Sequence, residues 1–235
     1  MLSSYVGAPH VGGVCYEADI EKIKKLFNML GKVMDDRSEL FKGGNYSQYV
    51  RVNGVTFPAV IVVIDNYSGF AEKTGGIFEA AIMRIAKEGV GYGVYLAVSC
   101  AGFNSMELPA RIADNIRNVI TLNMGDIFKY SEVLHVVRVP ILPEAYIKGR
   151  GLCTVNGNIL EYQTAVAAEA ADDYERQEKI KERMKDIAFE WKGLTARKIP
   201  EIPAKPVLSD FEELTEYKKM VETDRMLPVG YYTKD

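Results

Sequence analysis

Cysteine and histidine are scarce in this chain. Its 235 residues hold three cysteines, Cys15, Cys100 and Cys153, widely spaced and with no CxxC pair. An odd, scattered set of this kind in apolar or Gly-rich surroundings indicates buried thiols in a reducing compartment rather than a disulfide framework. The two histidines, His10 and His135, exclude a His-rich metal site. No run approaches the roughly 18 apolar residues of a membrane-spanning helix, and no signal peptide is visible at the start. A surplus of positive charge is also missing. The formal net charge of -3 gives no general reason to expect nucleic acid. The chain also lacks a GxxxxGK[ST] loop, whose backbone donors and lysine would cradle phosphates. Gly12-Gly13 and Gly43-Gly44 have no such lysine, and KTGG at 73–76 has the wrong order. These glycines read as turns, and the chain as given shows no obvious high-affinity nucleotide site.

What is present is a globular composition, 48% hydrophobic and 26% charged, long enough for one large domain or a domain with an appendage. After a loop and a short strand at GGVCY, apolar residues at Ile20, Ile23, Leu26, Phe27, Leu30, Met34 and Phe41 give residues 17–41 a helical period. GGNYSQYV breaks or shortens that helix before a turn at Asn53-Gly54. AVIVVI (59–64) is continuously apolar and β-branched, which predicts a strand buried on both faces of a parallel sheet. Residues 76–88 read as a helix with Ile77, Ala81, Ile82, Ile85 and Ala86 inward. VYLAVS (94–99) is a second buried strand, 106–116 a further helix and NVITLN (118–123) a third strand. Alternation of this kind predicts βαβ units, with the three strands parallel neighbours. A short helix follows at 125–134. Asn156-Gly157 between extended runs in 150–166 predicts an antiparallel hairpin. Beyond 168 comes a long charged helix with Ile180, Met184, Ile187 and Trp191 as its inner stripe, and this helix is expected to dock on the body or on another chain. The Pro-rich segment 199–206 is expected to be extended and to add little to the core, and one more helix is expected between Asp210 and Met220.

The candidate chemistry lies where the first buried strand ends, at Asp65-Asn66. In open parallel sheets ligands bind beyond the carboxyl ends of the strands, and an aspartate there can hold Mg²⁺ beside a phosphate. Asn66 can hydrogen-bond but cannot take a proton from water. The plainer reading is an Asp-Asn pair opening a turn. Arg84, Arg111 and Arg117 are candidate interface cations and equally ordinary solvated charges. Cys100 reads as structural, with no histidine near it in sequence.

The ordered set APHVGGV, the helix carrying Met34, Arg37 and Phe41, FPAVIVVIDN, IAKEGVGYGVYLAVS, RIADNIRNVITLNMGD and GRGLCTVNGNILEYQTA spans about Pro9 to Thr164. It resembles the FtsK/SpoIIIE family of P-loop ATPases, and within it a degenerate C-terminal module of the EssC-type motors of type VII secretion. The resemblance implies an α/β fold. This is a three-layer, P-loop-NTPase-like (RecA/FtsK-type) arrangement, with a mostly parallel sheet, helices on both faces and a late antiparallel hairpin. It also implies truncation at the N-terminus, because the family's phosphate loop and first strand precede the Pro-His region. Asp65 and Asn66 then stand as a degenerate Walker B pair where family motors carry Asp-Glu. Cys100 and Ala101 stand where the family has its Thr-Gln sensor, and Val90 where it often has arginine. Asp65 is the one position left for a metal.

The resemblance implies residues 1–168 as a truncated ATPase module and 169–235 as a helix with a Pro-rich intermodule linker. The function it implies is a non-catalytic regulatory or substrate-recognition module of a type VII secretion motor. The alternatives are a fragment of an active Mg-ATP-hydrolysing module and a DNA-translocase module, the latter disfavoured by the acidic total. The expected cofactors are none in this chain, with ATP and Mg²⁺ in a larger parent protein. The expected partners are the parent's other modules, secreted helical-hairpin proteins and further copies of this chain, but not nucleic acid. The expected location is the cytoplasmic face of the bacterial membrane, on a membrane-anchored parent.

Overall fold

The apolar period of the first helix is realised in a computed structural model that describes residues 2–102, 107–201, 207–212 and 214–223. Helix α1 (Ile20–Phe41) buries Ile23, Phe27, Leu30, Met34, Arg37 and Phe41 along one stripe. It ends where Lys42 turns left-handed, with φ 48°. The following segment, read from sequence as a break, contains a second helix, α2 (Tyr46–Asn53). Its start is fixed by a reciprocal cap: Gln48 N–H donates to the Asn45 side chain, and Asn45 N–H donates to the Gln48 side chain.

Strand β1 (Val60–Ile64) pairs in parallel with β2 (Val94–Val98), in register from Val60↔Val94 to Ile64↔Val98. Between them lie α3 (Tyr67–Lys73) and α4 (Glu79–Glu88). Val62, Ile64 and Val94 join α1 and α4 in the main core. The expectation that β1 is buried on both faces is not met, because Ile61 is 69% and Val63 54% exposed. Ile77 also lies outside α4 and is exposed.

The third strand departs further from expectation. The helix foreseen over 106–116 is the single turn α5 (Ala110–Ala113). Pro109 disfavours helical backbone at the residue before it. β3 (Ile120–Leu122) is not a parallel neighbour of β2. It pairs antiparallel with β4 (Arg150–Val155), which pairs with β5 (Asn158–Gln163). The parallel pair and this three-stranded sheet are separate. Gly151 permits the close approach: a Cβ there would lie 1.8 Å from the Thr121 carbonyl oxygen. The Thr121 hydroxyl completes the contact, donating to Leu152 O and accepting from Leu152 N–H at 3.1 and 3.2 Å. The hairpin turns as expected at Asn156 and Gly157, with φ 51° and 79°, the pair of positive angles that a tight two-residue turn needs. Helix α6 (Ile127–Val133) supplies Tyr130 to a second core with Leu134, Val139 and Leu152.

Helix α7 (Asp173–Glu190) buries Ile180 and lies against the opening 3-10 turn, Leu2–Tyr5. The chain after it runs beside residues 9–14. Ala196 N–H donates to Pro9 O at 2.7 Å, Lys198 Nζ donates to Val11 O at 2.9 Å, and Lys22 pairs with Glu201 at 2.6 Å. Ile199 is 6% exposed, so the start of the Pro-rich stretch does contribute to packing; residues 202–206 and the LPVGYYTKD ending lie outside the described residues. Two short helices, α8 (Leu208–Glu212) and α9 (Thr215–Glu222), stand where one was expected.

Candidate functional site

The acidic turn forms where β1 runs out. Asp65 follows its last residue and is exposed. Asn66 has φ 55° and ψ 69°, a left-handed backbone that asparagine tolerates better than most residues. Its side-chain oxygen caps α3, accepting from Gly69 N–H at 3.5 Å and from the Ser68 hydroxyl at 3.3 Å. Gly69 is needed for this, since a Cβ there would lie 2.6 Å from Asn66 Nδ2. The residue that meets the acidic pair is Ser99, one position past β2. Its hydroxyl donates to Asp65 Oδ1 at 2.5 Å and accepts from Asn66 N–H at 2.9 Å. Sequence reasoning passed over Ser99. The register would have found it: Ile64 lies opposite Val98, so the next residues of the two strands, 65 and 99, leave the sheet side by side.

Cys100 is half-buried against the main core, and burial pushes its thiol above the ordinary value. Ala101 is exposed beside it. Val90 lies in the 3-10 turn Gly89–Tyr92 before β2. That is the opposite end of the parallel pair from Asp65, so the structure does not bring the two together. Arg84 ties α4 to α1 through Asp35 and also reaches Glu88. Arg111 makes a two-pronged pair with Glu79, both contacts at 2.7 Å. Arg117 stands exposed before β3. Arg37, singled out with Met34 in sequence, is a buried clamp. It donates to Tyr92 O, Gly93 O and Pro58 O at 2.7, 3.3 and 2.8 Å.

The acidic turn is a poor fit for a nucleotide-bound Mg²⁺. Among the described residues no cluster of three or more His, Cys, Asp or Glu could hold a metal. Asp65 stands with Asn66 in place of a second acid, and its carboxylate already accepts a hydroxyl. A separate groove of about 250 Å³ opens beside α4, lined by Gly76, Ile77, Glu79, Ala80, Met83 and Arg111. Its lining combines apolar Ile77, Ala80 and Met83 with the Arg111–Glu79 pair. Among the described residues no helix is long and apolar enough to cross a membrane.

No protein-family model matches the chain. Type VII secretion system protein EssC of Staphylococcus aureus (strain MRSA252) is 25% identical over 235 residues, covering 97% of this chain and 15% of its own length. The chain thus spans about 15% of the length of the curated relative it matches. Among solved structures, EssC (ATPases 2 and 3) from Geobacillus thermodenitrificans aligns with a TM-score of 0.74 at 22% identity, over 90% of this chain and 40% of that one. Thermomonospora curvata EccC (ATPases 2 and 3) in complex with a signal sequence peptide aligns with a TM-score of 0.68 at 22% identity, over 89% and 38%. Fold and sequence relatives therefore agree: the chain is a homologue of the EssC and EccC ATPases of type VII secretion and has the α/β fold of their P-loop ATPase modules.

Proposed function

We propose that the chain is a non-catalytic module of a type VII secretion motor protein, serving substrate recognition or regulation. The observation that carries this reading is the use made of Asn66. In a hydrolytic site of this kind, the residue after the strand-end aspartate orients or deprotonates the attacking water. Here it is an amide, held left-handed and engaged as a helix cap. Catalysis and scaffold are separable in such folds, because the layered packing does not depend on the reacting groups.

Recognition is assigned to the groove beside α4. Ile77 is 63% exposed there, and Ala80 and Met83 continue the apolar lining. A helical signal segment would place one apolar side chain in it, with the Arg111–Glu79 pair fixing polar groups beside it. The related EccC structure holds a signal sequence peptide, which motivates that choice of occupant. ATP and Mg²⁺ then serve other modules of the parent protein. Those modules are also the chain's nearest partners, at the cytoplasmic face of the membrane. The bare apolar face at Ile61 and Val63 supports packing against further polypeptide.

The test has two arms. Phosphate release from Mg-ATP is expected to stay at background, and Asn66→Glu is expected not to raise it. Titration with a synthetic helical signal peptide of a type VII substrate is expected to show saturable binding that Met83→Glu weakens by about tenfold or more, the cost of a charge in an apolar pocket. Turnover by the wild type that Asp65→Ala abolishes would overturn the non-catalytic reading. Peptide affinity unchanged by Met83→Glu would remove the groove from it.

A further inference from the structure

Ser99 is the centre of four hydrogen bonds that join the ends of the two parallel strands. Its N–H donates to Ile64 O at 3.0 Å, and its carbonyl accepts from Tyr67 N–H at 2.8 Å. Its hydroxyl donates to Asp65 Oδ1 at 2.5 Å and accepts from Asn66 N–H at 2.9 Å. Both backbone groups of Ser99 and the proton of its hydroxyl are thereby engaged on residues 64–67. A serine hydroxyl has one proton to give. That proton is committed to Asp65 Oδ1 and fixes the carboxylate against the end of β2. Mg²⁺ requires near-octahedral oxygen coordination and usually one or two carboxylates with substrate phosphates. The turn offers the single carboxylate of Asp65, and no GxxxxGK[ST] loop that would hold the phosphates occurs in the sequence.

We propose that Ser99 is the positioning residue of a latch that closes the acidic turn, and that Asp65 serves this latch rather than a divalent cation. The latch explains how Asn66 keeps a left-handed backbone without glycine: its N–H is held by Ser99, and the next N–H, of Tyr67, is held by the Ser99 carbonyl. It also gives Asp65 a partner at a strand end where Asn66 stands in place of a second acid. The proposal rests on the reading that this turn performs no hydrolysis, and its test separates the two.

The experiment follows backbone amides of the full chain by NMR, with manganese(II) chloride as the cation probe and hydrogen exchange as the measure of closure. The wild type is expected to show no selective broadening of residues 64–67 by Mn²⁺. Ser99→Ala should speed exchange at Asn66 by about tenfold, through loss of its acceptor. Ser99→Thr, which keeps the hydroxyl, should restore protection. Asp65→Asn should also keep it, because the amide oxygen accepts the same hydrogen bond, whereas a metal ligand would not survive that change. Selective Mn²⁺ broadening at 64–67, abolished by Asp65→Asn, would overturn the latch without any variant needing to fold differently. So would exchange at Asn66 that Ser99→Ala leaves unchanged. Mn²⁺ bound at Asp65 without ATP turnover would sink the latch alone; turnover with no Mn²⁺ at Asp65 would sink the functional reading alone.

Discussion

Replacing Arg37 by methionine should cost the protein about 3 kcal/mol of stability, several times an ordinary surface change. The side chain is 7% exposed and pairs with no carboxylate among the described residues. Its charge is instead met by three backbone carbonyls, Tyr92 at 2.7 Å, Pro58 at 2.8 Å and Gly93 at 3.3 Å. Two ring faces cover it, Phe57 at 4.7 Å and Tyr46 at 5.4 Å from the guanidinium carbon. The fork thus pins α1 to the segments entering β1 and β2. Methionine keeps most of the length and apolar stem but leaves the carbonyls without their donor. Each of the two short bonds involves a charged donor and contributes about 1.5–3 kcal/mol. Against this stands the cost of burying the cation, which also lowers the Arg37 pKa. That cost is relieved in the variant and brings the net below the sum. A guanidinium stays protonated throughout the working pH range, so the loss should not vary around neutrality. Urea denaturation followed by circular dichroism measures it directly, and a loss of this size lowers the melting midpoint by about 6–12 °C for a domain of this length. Arg37→Lys should lose roughly half as much, because a point charge reaches one carbonyl and not the fork. A loss below about 0.5 kcal/mol for the methionine variant would show that desolvation cancels the bonds, and would refute the clamp.

Asn66→Gly should be nearly neutral for stability, while Asn66→Ala should cost about 1–2 kcal/mol, from the left-handed backbone and the lost cap together; equal losses in urea titrations would exclude a backbone origin. Gly157→Ala at the hairpin turn meets no neighbour and should cost about 1 kcal/mol through its positive φ alone, read from the same titrations. Burial pushes the Cys15 and Cys100 thiols above their ordinary 9.0. Their contribution is therefore complete below that value and is lost as pH rises through the higher folded-state values, so a Cys15→Ala, Cys100→Ala double variant should show a flatter alkaline limb of stability against pH. Gly12→Val should detach the tail segment, since a Cβ at Gly12 would stand 2.5 Å from the Arg197 carbonyl oxygen; limited proteolysis should then cut between 190 and 201, and unchanged resistance would count against the contact.

The parallel pair was legible because apolar runs at 60–64 and 94–98 are separated by a helical period, and a right-handed crossover joins such strands in parallel. The bare face of β1 was not legible. An unbroken apolar run looks the same whether a second layer covers it or not, and Ile61 and Val63 differ from Val62 and Ile64 only in what lies over them. The third strand was misplaced because its partner is chosen by Gly151 and Thr121, some thirty residues apart, through a close approach that no local pattern announces. Helices α2 and α3 were missed because their caps, Asn45 and Asn66, also signal turns. At the site, Asp65 and Asn66 were visible from their place at a strand end, but Ser99 carries no pattern of its own. Arg84 and Arg111 could be placed on helices from sequence; that each is paired with a carboxylate, Asp35 and Glu79, depends on how those helices meet.

The arrangement at the strand ends bears on the proposal that the module is non-catalytic. A turn that hydrolyses a nucleotide needs an aspartate open to a cation, a base free to exchange protons with water, and a phosphate held against both. Those requirements leave polar groups unsatisfied in the resting state and tend to oppose stability. Here the same positions satisfy one another: Asp65 and Asn66 through Ser99, Asn66 again through α3, and Tyr67 through the Ser99 backbone. Where a hydrolytic turn would hold a base, Asn66 carries an amide, and its oxygen is engaged on the first turn of α3. The Ser99 hydroxyl opposite Asp65 ties the βα junction together where α3 begins. The groove beside α4 lies outside this network, so the turn can close without altering the surface proposed to meet a substrate. The proposed recognition role rests on that separation, since the layered scaffold does not depend on reacting groups.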